Sequence, residues 1–150
     1  MRNTILIIFG LLTLFSCNKG ERSHLMKDEI EKEKIEIETE ILIQDILDLP
    51  ELQWIYHPEV KDRLPVKLLA SGLVTKEMYL RKFDKDVLIL TTEEVEMKKI
   101  PDYVFIEELF FVGDTVKFYL TYDVEGVFAD GKFIRVQGKW KPLDCVVGER

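Results

Sequence analysis

The sequence predicts an α+β fold, an N-terminal helix packed on a curved antiparallel sheet that ends in a β-meander. Three observations carry that expectation. Residues 41–49, "ILIQDILDL", put apolar side chains at 41, 42, 43, 46, 47 and 49, which suits a helix buried on most sides better than an alternating strand. Residues 103–126 hold two aromatic and β-branched runs around Gly113-Asp114, a hairpin signal. A third such run follows "VFADGKF". Helix first and consecutive strands afterwards is the α+β order.

The elements follow from the N-terminus. Arg2 gives a short positive start, and residues 5–15 are apolar apart from Gly10 and Thr13. A bilayer core needs roughly 20 apolar residues to be spanned by a helix, so the run is too short to span and has the proportions of a secretory h-region. It stops at Leu14-Phe15-Ser16-Cys17. This ending resembles the lipobox of bacterial lipoproteins: an aliphatic residue at −3, a small one at −1, then the cysteine. Phe15 departs from the usual −2 residue. The alternatives are an ordinary secretory signal with a chance cysteine, or a short buried helix.

The resemblance implies cleavage after Ser16, acylation of Cys17 by palmitate-like chains, and a place in the cell envelope with the domain outside the cytoplasm. Two acyl chains already anchor stably. Asn18 is not the aspartate that resembles an inner-membrane retention signal, which implies the outer membrane in a Gram-negative host. The chain thus divides into a signal peptide (1–16), a lipidated cysteine with a charged tether (17–37) and one α+β domain (38–150).

In the tether, "NKGERSHLM" lacks periodicity and reads as linker. Residues 27–40 carry seven acids and three lysines, a solvated face or stalk. "IEIETEILI" alternates and offers a strand, but the helix is preferred for the reason given above, with Pro50 as its stop. The middle is irregular around Pro58 and Pro65. "VKLLASGL" and "DVLIL" read as short strands and "TKEMYLRKF" as one or two helical turns from Thr75. Thr91 and Glu94 have capping-box spacing for a short helix before Pro101.

A two-residue turn at Gly113-Asp114 sets Phe111 opposite Val116, Leu109 opposite Phe118, Glu107 opposite Leu120 and Phe105 opposite Tyr122. One face is then apolar, with Glu107 the misfit. For the next connection, a three-residue Ala129-Asp130-Gly131 loop with Gly131 left-handed keeps Val124 opposite Val136. Gly138-Lys139 offers a further turn. The ending "VKFYLTYDVEGVFADGKFIRVQGKWK" resembles the last strands of cystatin-like and NTF2-like folds, in which a curved sheet wraps a helix.

The formal charge is −7, or −8 once Arg2 leaves with the signal peptide. That balance argues against nucleic acid and against a polybasic grip on anionic lipid. Cys145 in "LDCVVGE" reads as buried and inert. His24 and His57 are the two histidines, and no zinc, thiol-redox or phosphate-loop spacing occurs. No catalytic residue, metal or cofactor is assigned. Asp45, Asp48, Glu51 and His57 lie close in sequence and offer a weak rim. Trp54, Tyr56, His57 and Trp140 form the candidate binding groove. The function expected is a membrane-anchored envelope lipoprotein with a non-catalytic domain that binds a protein or envelope component. A structural envelope lipoprotein and a small NTF2-like pocket enzyme are the alternatives. An exposed apolar patch favours the first two, and an acid turned into an apolar pocket favours the enzyme.

Overall fold

The computed structural model describes residues 19–150, with side chains from residue 29 onward. The expected signal peptide and Cys17 lie outside the described residues, as does the side chain of His24. The chain divides into two units, residues 1–34 and 35–150. The described part of the first is helical. That corrects the linker expectation, because helix α1 runs Lys19–Leu47 and takes in most of "NKGERSHLM".

The second unit is α+β. After α1 come a 3-10 helix (Pro50–Tyr56), a 3-10 turn (Lys61–Arg63) and strand β1 (Lys67–Leu69). Strands β2 (Arg81–Lys82), β3 (Lys85–Asp86) and β4 (Leu88–Leu90) follow, then helix α2 (Thr92–Lys98). The meander is β5 (Phe105–Val112), β6 (Thr115–Tyr122), β7 (Val127–Val136) and β8 (Lys139–Glu149), in that spatial order. β1 pairs with β4 in parallel, and Leu68 also bridges to Val104 just before β5.

Local chemistry explains most of these boundaries. α1 stops at Leu47, and Pro50 opens the 3-10 helix at a position where a missing N–H costs nothing. Thr91 caps α2 with the expected box: its hydroxyl accepts from the Glu94 N–H, and the Glu94 carboxylate accepts from the Thr91 N–H. "TKEMYLRKF" is not helical. It ends in β2, and a tight turn with Phe83 and Asp84 at positive φ leads to β3. Gln44 holds that hairpin: its amide donates to the Arg81 carbonyl at 2.8 Å and accepts from the Arg81 N–H at 2.9 Å, as a strand partner would.

The first meander turn matches the expected register as far as Leu109, with Phe111 opposite Val116 and Leu109 opposite Phe118. Beyond it the register shifts between Ile106 and Glu108, so Leu120 faces Ile106, and Phe105 faces Thr121. Glu107 is the extra residue of a bulge. The misfit acid leaves the ladder, and fully buried Ile106 takes its place on the core face.

The Ala129-Asp130-Gly131 loop is contradicted. These residues sit inside β7, and the chain reverses at Asp123–Glu125 with Gly126 at φ +64. Phe118 therefore faces Gly131 and Tyr122 faces Val127, whereas Val124 is not in a strand and Val136 pairs with Lys139. Gly131 has no positive φ. It is needed because a Cβ there would lie 2.4 Å from the Phe118 ring and 2.8 Å from the Asp144 carbonyl oxygen. The last turn is Gln137-Gly138, both at positive φ, one residue earlier than expected.

One buried cluster contains Leu42, Ile43, Ile46 and Leu47 of α1 and Ile106, Val116, Phe118, Leu120, Ala129 and Phe133 of the meander. Ile41 is exposed, which narrows the expected apolar face of the helix.

Candidate functional site

The residues expected to line one groove are not brought together. Tyr56 is a core residue, 1% exposed, whose hydroxyl donates to the Leu47 carbonyl. Trp54 is 52% exposed. His57, at φ +45, faces Glu59 through Nδ1 at 3.0 Å and Glu125 through Nε2 at 3.3 Å. Trp140 packs at the other end of the sheet, against Phe111 and under the Arg135 guanidinium 4.5 Å from its ring. Glu125 precedes β7 and Arg135 lies near its end, so roughly 26 Å of strand, at ~3.3 Å per residue, separates the surroundings of His57 and Trp140.

The densest ionic cluster lies beside His57 and was not visible in the sequence, because its hydrogen-bonded partners are 20 to 62 residues apart. Arg63 donates through Nη1 to Asp102 at 3.1 Å and to the Tyr122 hydroxyl at 3.2 Å, and through Nη2 to Glu125. Lys67 donates to the other Asp102 oxygen at 2.7 Å, and Tyr122 donates to Asp102. Burial pushes the Asp102 carboxyl up, but the hydrogen bonds from Lys67, Tyr122 and Arg63 outweigh it and hold it below the ordinary value. Burial and the Asp102 charge push the Tyr122 hydroxyl up, so it stays protonated.

Asp62, Arg63, Lys67, Lys99, Asp102 and Val124 are among the residues lining a cleft of about 380 Å³ beside this cluster. Of these, Arg63, Lys67 and Asp102 are spent on one another. The cluster therefore fastens the segment around residues 57–67 to the entry of β5 and to the end of β6.

The weak acidic rim is also internally satisfied at Asp48, which accepts from Lys82 at 2.7 Å and from Gln44 at 2.8 Å. The Lys82 ammonium is buried over the rings of Phe83 and Tyr56, 5.1 and 5.6 Å from their centroids. Cys145 is half-buried rather than buried, and burial with nearby Glu51, Asp144 and Asp130 pushes its thiol up to about 11. A thiol so held is a poor nucleophile at neutral pH. Among the described residues no group of three His, Cys, Asp or Glu side chains is placed to hold a metal ion.

The feature that points outward is the second half of β5. Phe110 is 63%, Phe111 47% and Val112 57% exposed. Phe110 and Val112 stand on the outer face of the sheet beside Lys117 and Thr115. Phe111 lies on the core side at the rim of a groove of about 270 Å³ that Ile35, Glu38, Thr39 and Arg135 complete. The sequence signal for this surface was "LFFV", four uncharged residues running up to the turn.

No family model matches the chain, and neither the curated proteins nor the solved structures include a significant match. Among the described residues no helix is long and apolar enough to cross a membrane.

Proposed function

We propose that this chain is a lipid-anchored lipoprotein of the bacterial cell envelope whose domain, held outside the cytoplasm, is a non-catalytic binding module. The exposed apolar run at residues 110–112 carries the binding part of this reading. Adjacent large apolar side chains left in water at a sheet edge mark a contact surface more often than scattered ones do. The anchoring part rests on Leu14-Phe15-Ser16-Cys17 after an apolar run too short to span a bilayer.

The acids and histidine that an NTF2-like enzyme would aim into an apolar pocket are instead engaged by charged neighbours, as Asp102 and His57 show. A structural envelope role draws on the same exposed surface and remains the second reading. The finer fold expectation, a cystatin-like or NTF2-like sheet wrapped on a helix, is supported by the buried cluster that α1 and the meander share.

The test is to express the full chain in a bacterial host. Wild-type protein is expected in the membrane and detergent fractions, with an acylated Cys17 peptide in mass spectrometry. Cys17→Ser is expected to persist as uncleaved, unacylated precursor. Mature wild-type protein, soluble and with an unmodified Cys17, would refute the anchor.

A further inference from the structure

We infer that the outer face of the meander, at the end that carries the turns at residues 113–114 and 137–138, docks on an anionic phospholipid surface. This rests on the binding reading and names the partner of its exposed apolar run.

The charges of residues 105–150 separate along the strands. At the end with the two turns stand five bases, Lys117, Lys132, Arg135, Lys139 and Lys141, with only two acids, Asp114 and Asp144. At the other end, around the reversal at 123–126, Glu107, Glu108, Asp123, Glu125, Asp130 and Glu149 stand with Arg150 as the one base. The whole-chain charge of −7, which argues against a basic grip on lipid, averages over both ends and hides the basic one.

Four of the five bases share one face. Paired residues of a ladder lie on the same side of a sheet, and side chains alternate along each strand. Phe110, Lys117 and Lys132 form one cross-strand row with Asp144 at its end. Val112, Thr115, Ile134 and Lys141 form the next, and Val136 with Lys139 lies beyond it. Arg135 points to the core side and pairs with Glu38, and Lys132 pairs with Asp144 at 3.1 Å. Lys117, Lys139 and Lys141 are exposed and, among the described residues, have no acidic partner. Lys117 also stands directly opposite Lys132, a like-charge pair that is destabilising until an anion neutralises it. Among these ammonium groups Phe110, Val112 and Val136 leave hydrocarbon in water.

An anionic bilayer surface satisfies both parts of that face at once. Lysine stems can run along the apolar side chains and raise their ammonium groups to the phosphates, while Phe110 and Val112 enter the acyl boundary. A purely charged partner would meet the lysines and leave the apolar side chains wet. The same surface repels the acidic end, so the charge separation also orients the domain. The proposed acyl anchor at Cys17 keeps a bilayer within reach and makes the docking intramolecular.

The experiment is fluorescence quenching of the full chain, purified in detergent and reconstituted into vesicles whose lipids carry nitroxides on their acyl chains. A genetically encoded coumarin side chain replaces Phe110 in one variant and Asp123 in another. In a one-to-one mixture of phosphatidylcholine and phosphatidylglycerol, position 110 is expected to be quenched and position 123 not. With three unpaired lysines at about fivefold each, phosphatidylcholine alone should lower the docking equilibrium about 100-fold, and Lys117→Gln with Lys141→Gln about 25-fold. Position 110 unquenched in the anionic vesicles, or quenched equally without phosphatidylglycerol, would overturn the lipid face. If a photoreactive side chain at position 110 then captures a protein in intact cells, the binding reading stands without lipid as its partner. If it captures nothing, both are overturned.

Discussion

The two edges of the meander, β5 and β8, are built on the same ladder and differ in what their side chains do about water. β8 sets Lys139, Lys141, Pro142 and a bulge along its first half and leaves residues 145–148 without them. β5 is divided. Its entry is locked by the bridge from Leu68 to Val104 and by Asp102, which Arg63 and Lys67 hold, and its exit is bare from Leu109 to Val112. Edge protection therefore does not follow from strand position alone. It is written residue by residue.

The largest expected effect tests the ladder that both edges share. Gly131 lies between the Phe118 ring and the Asp144 carbonyl of β8. Gly131→Val should cost about 3 kcal/mol, the upper end of overpacking, because the carbonyl is backbone and cannot swing away. Hydrogen exchange should show β8 losing protection before the β5–β6 hairpin. Equal loss on both would mean that the edges are not independent.

The next effect concerns the locked half of β5. Asp102→Asn removes the carboxylate that faces Lys67, which keeps the Asp62 and Arg63 carbonyls, and one of the two that face Arg63. It should cost about 2 kcal/mol, less than the ~3–5 kcal/mol of a fully buried pair broken on one side, because Arg63 keeps Glu125. The folded Asp102 carboxyl titrates below its unfolded value, so its contribution is whole above the unfolded pKa and is lost as pH falls through the folded one. Wild-type stability should therefore drop more steeply below about pH 4 than that of Asp102→Asn in parallel urea titrations.

These positions also show what was legible in the chain. Gly113-Asp114 fixed the first hairpin because a two-residue turn dictates register outward, and the pairing held until the bulge at Glu107. That bulge is tertiary: Ile106 reaches the core only if Glu107 steps aside, and nothing local to residues 105–108 says so. Asp130-Gly131 has the same turn composition but sits mid-strand, since Gly131 serves ring packing rather than left-handed backbone. The real reversal, Asp123 to Gly126, carries an Asp and a Gly at less familiar spacing. "TKEMYLRKF" read as one or two helical turns because Thr75 offers an N-cap, while Gln44, 37 residues away, holds Arg81 in an extended form. The proposed groove failed for a similar reason. His57 and Trp140 look alike as polar-tipped rings in irregular context, and only the register of β7 puts them at opposite ends. The apolar edge was present in "LFFV", but the pairing drawn from the turn was followed only on the inner face.

A smaller effect comes from removing the charges at the start of β8. Lys139→Val with Lys141→Val should change stability by no more than about 0.5 kcal/mol, since both residues are exposed. Pro142 and the bulge at Leu143 remain, so light scattering should show no species larger than the wild type gives. Growth in the double variant would show that the two lysines alone guard that end of the edge.

The most direct measurement is site-specific photo-cross-linking in intact cells, with a benzophenone side chain placed at Phe110 in one variant and at Asp123 in another. Both residues are exposed, so neither change should move the circular dichroism spectrum. A covalent adduct is expected from position 110 and none from position 123. No adduct from position 110, or equal adducts from both, would contradict the account.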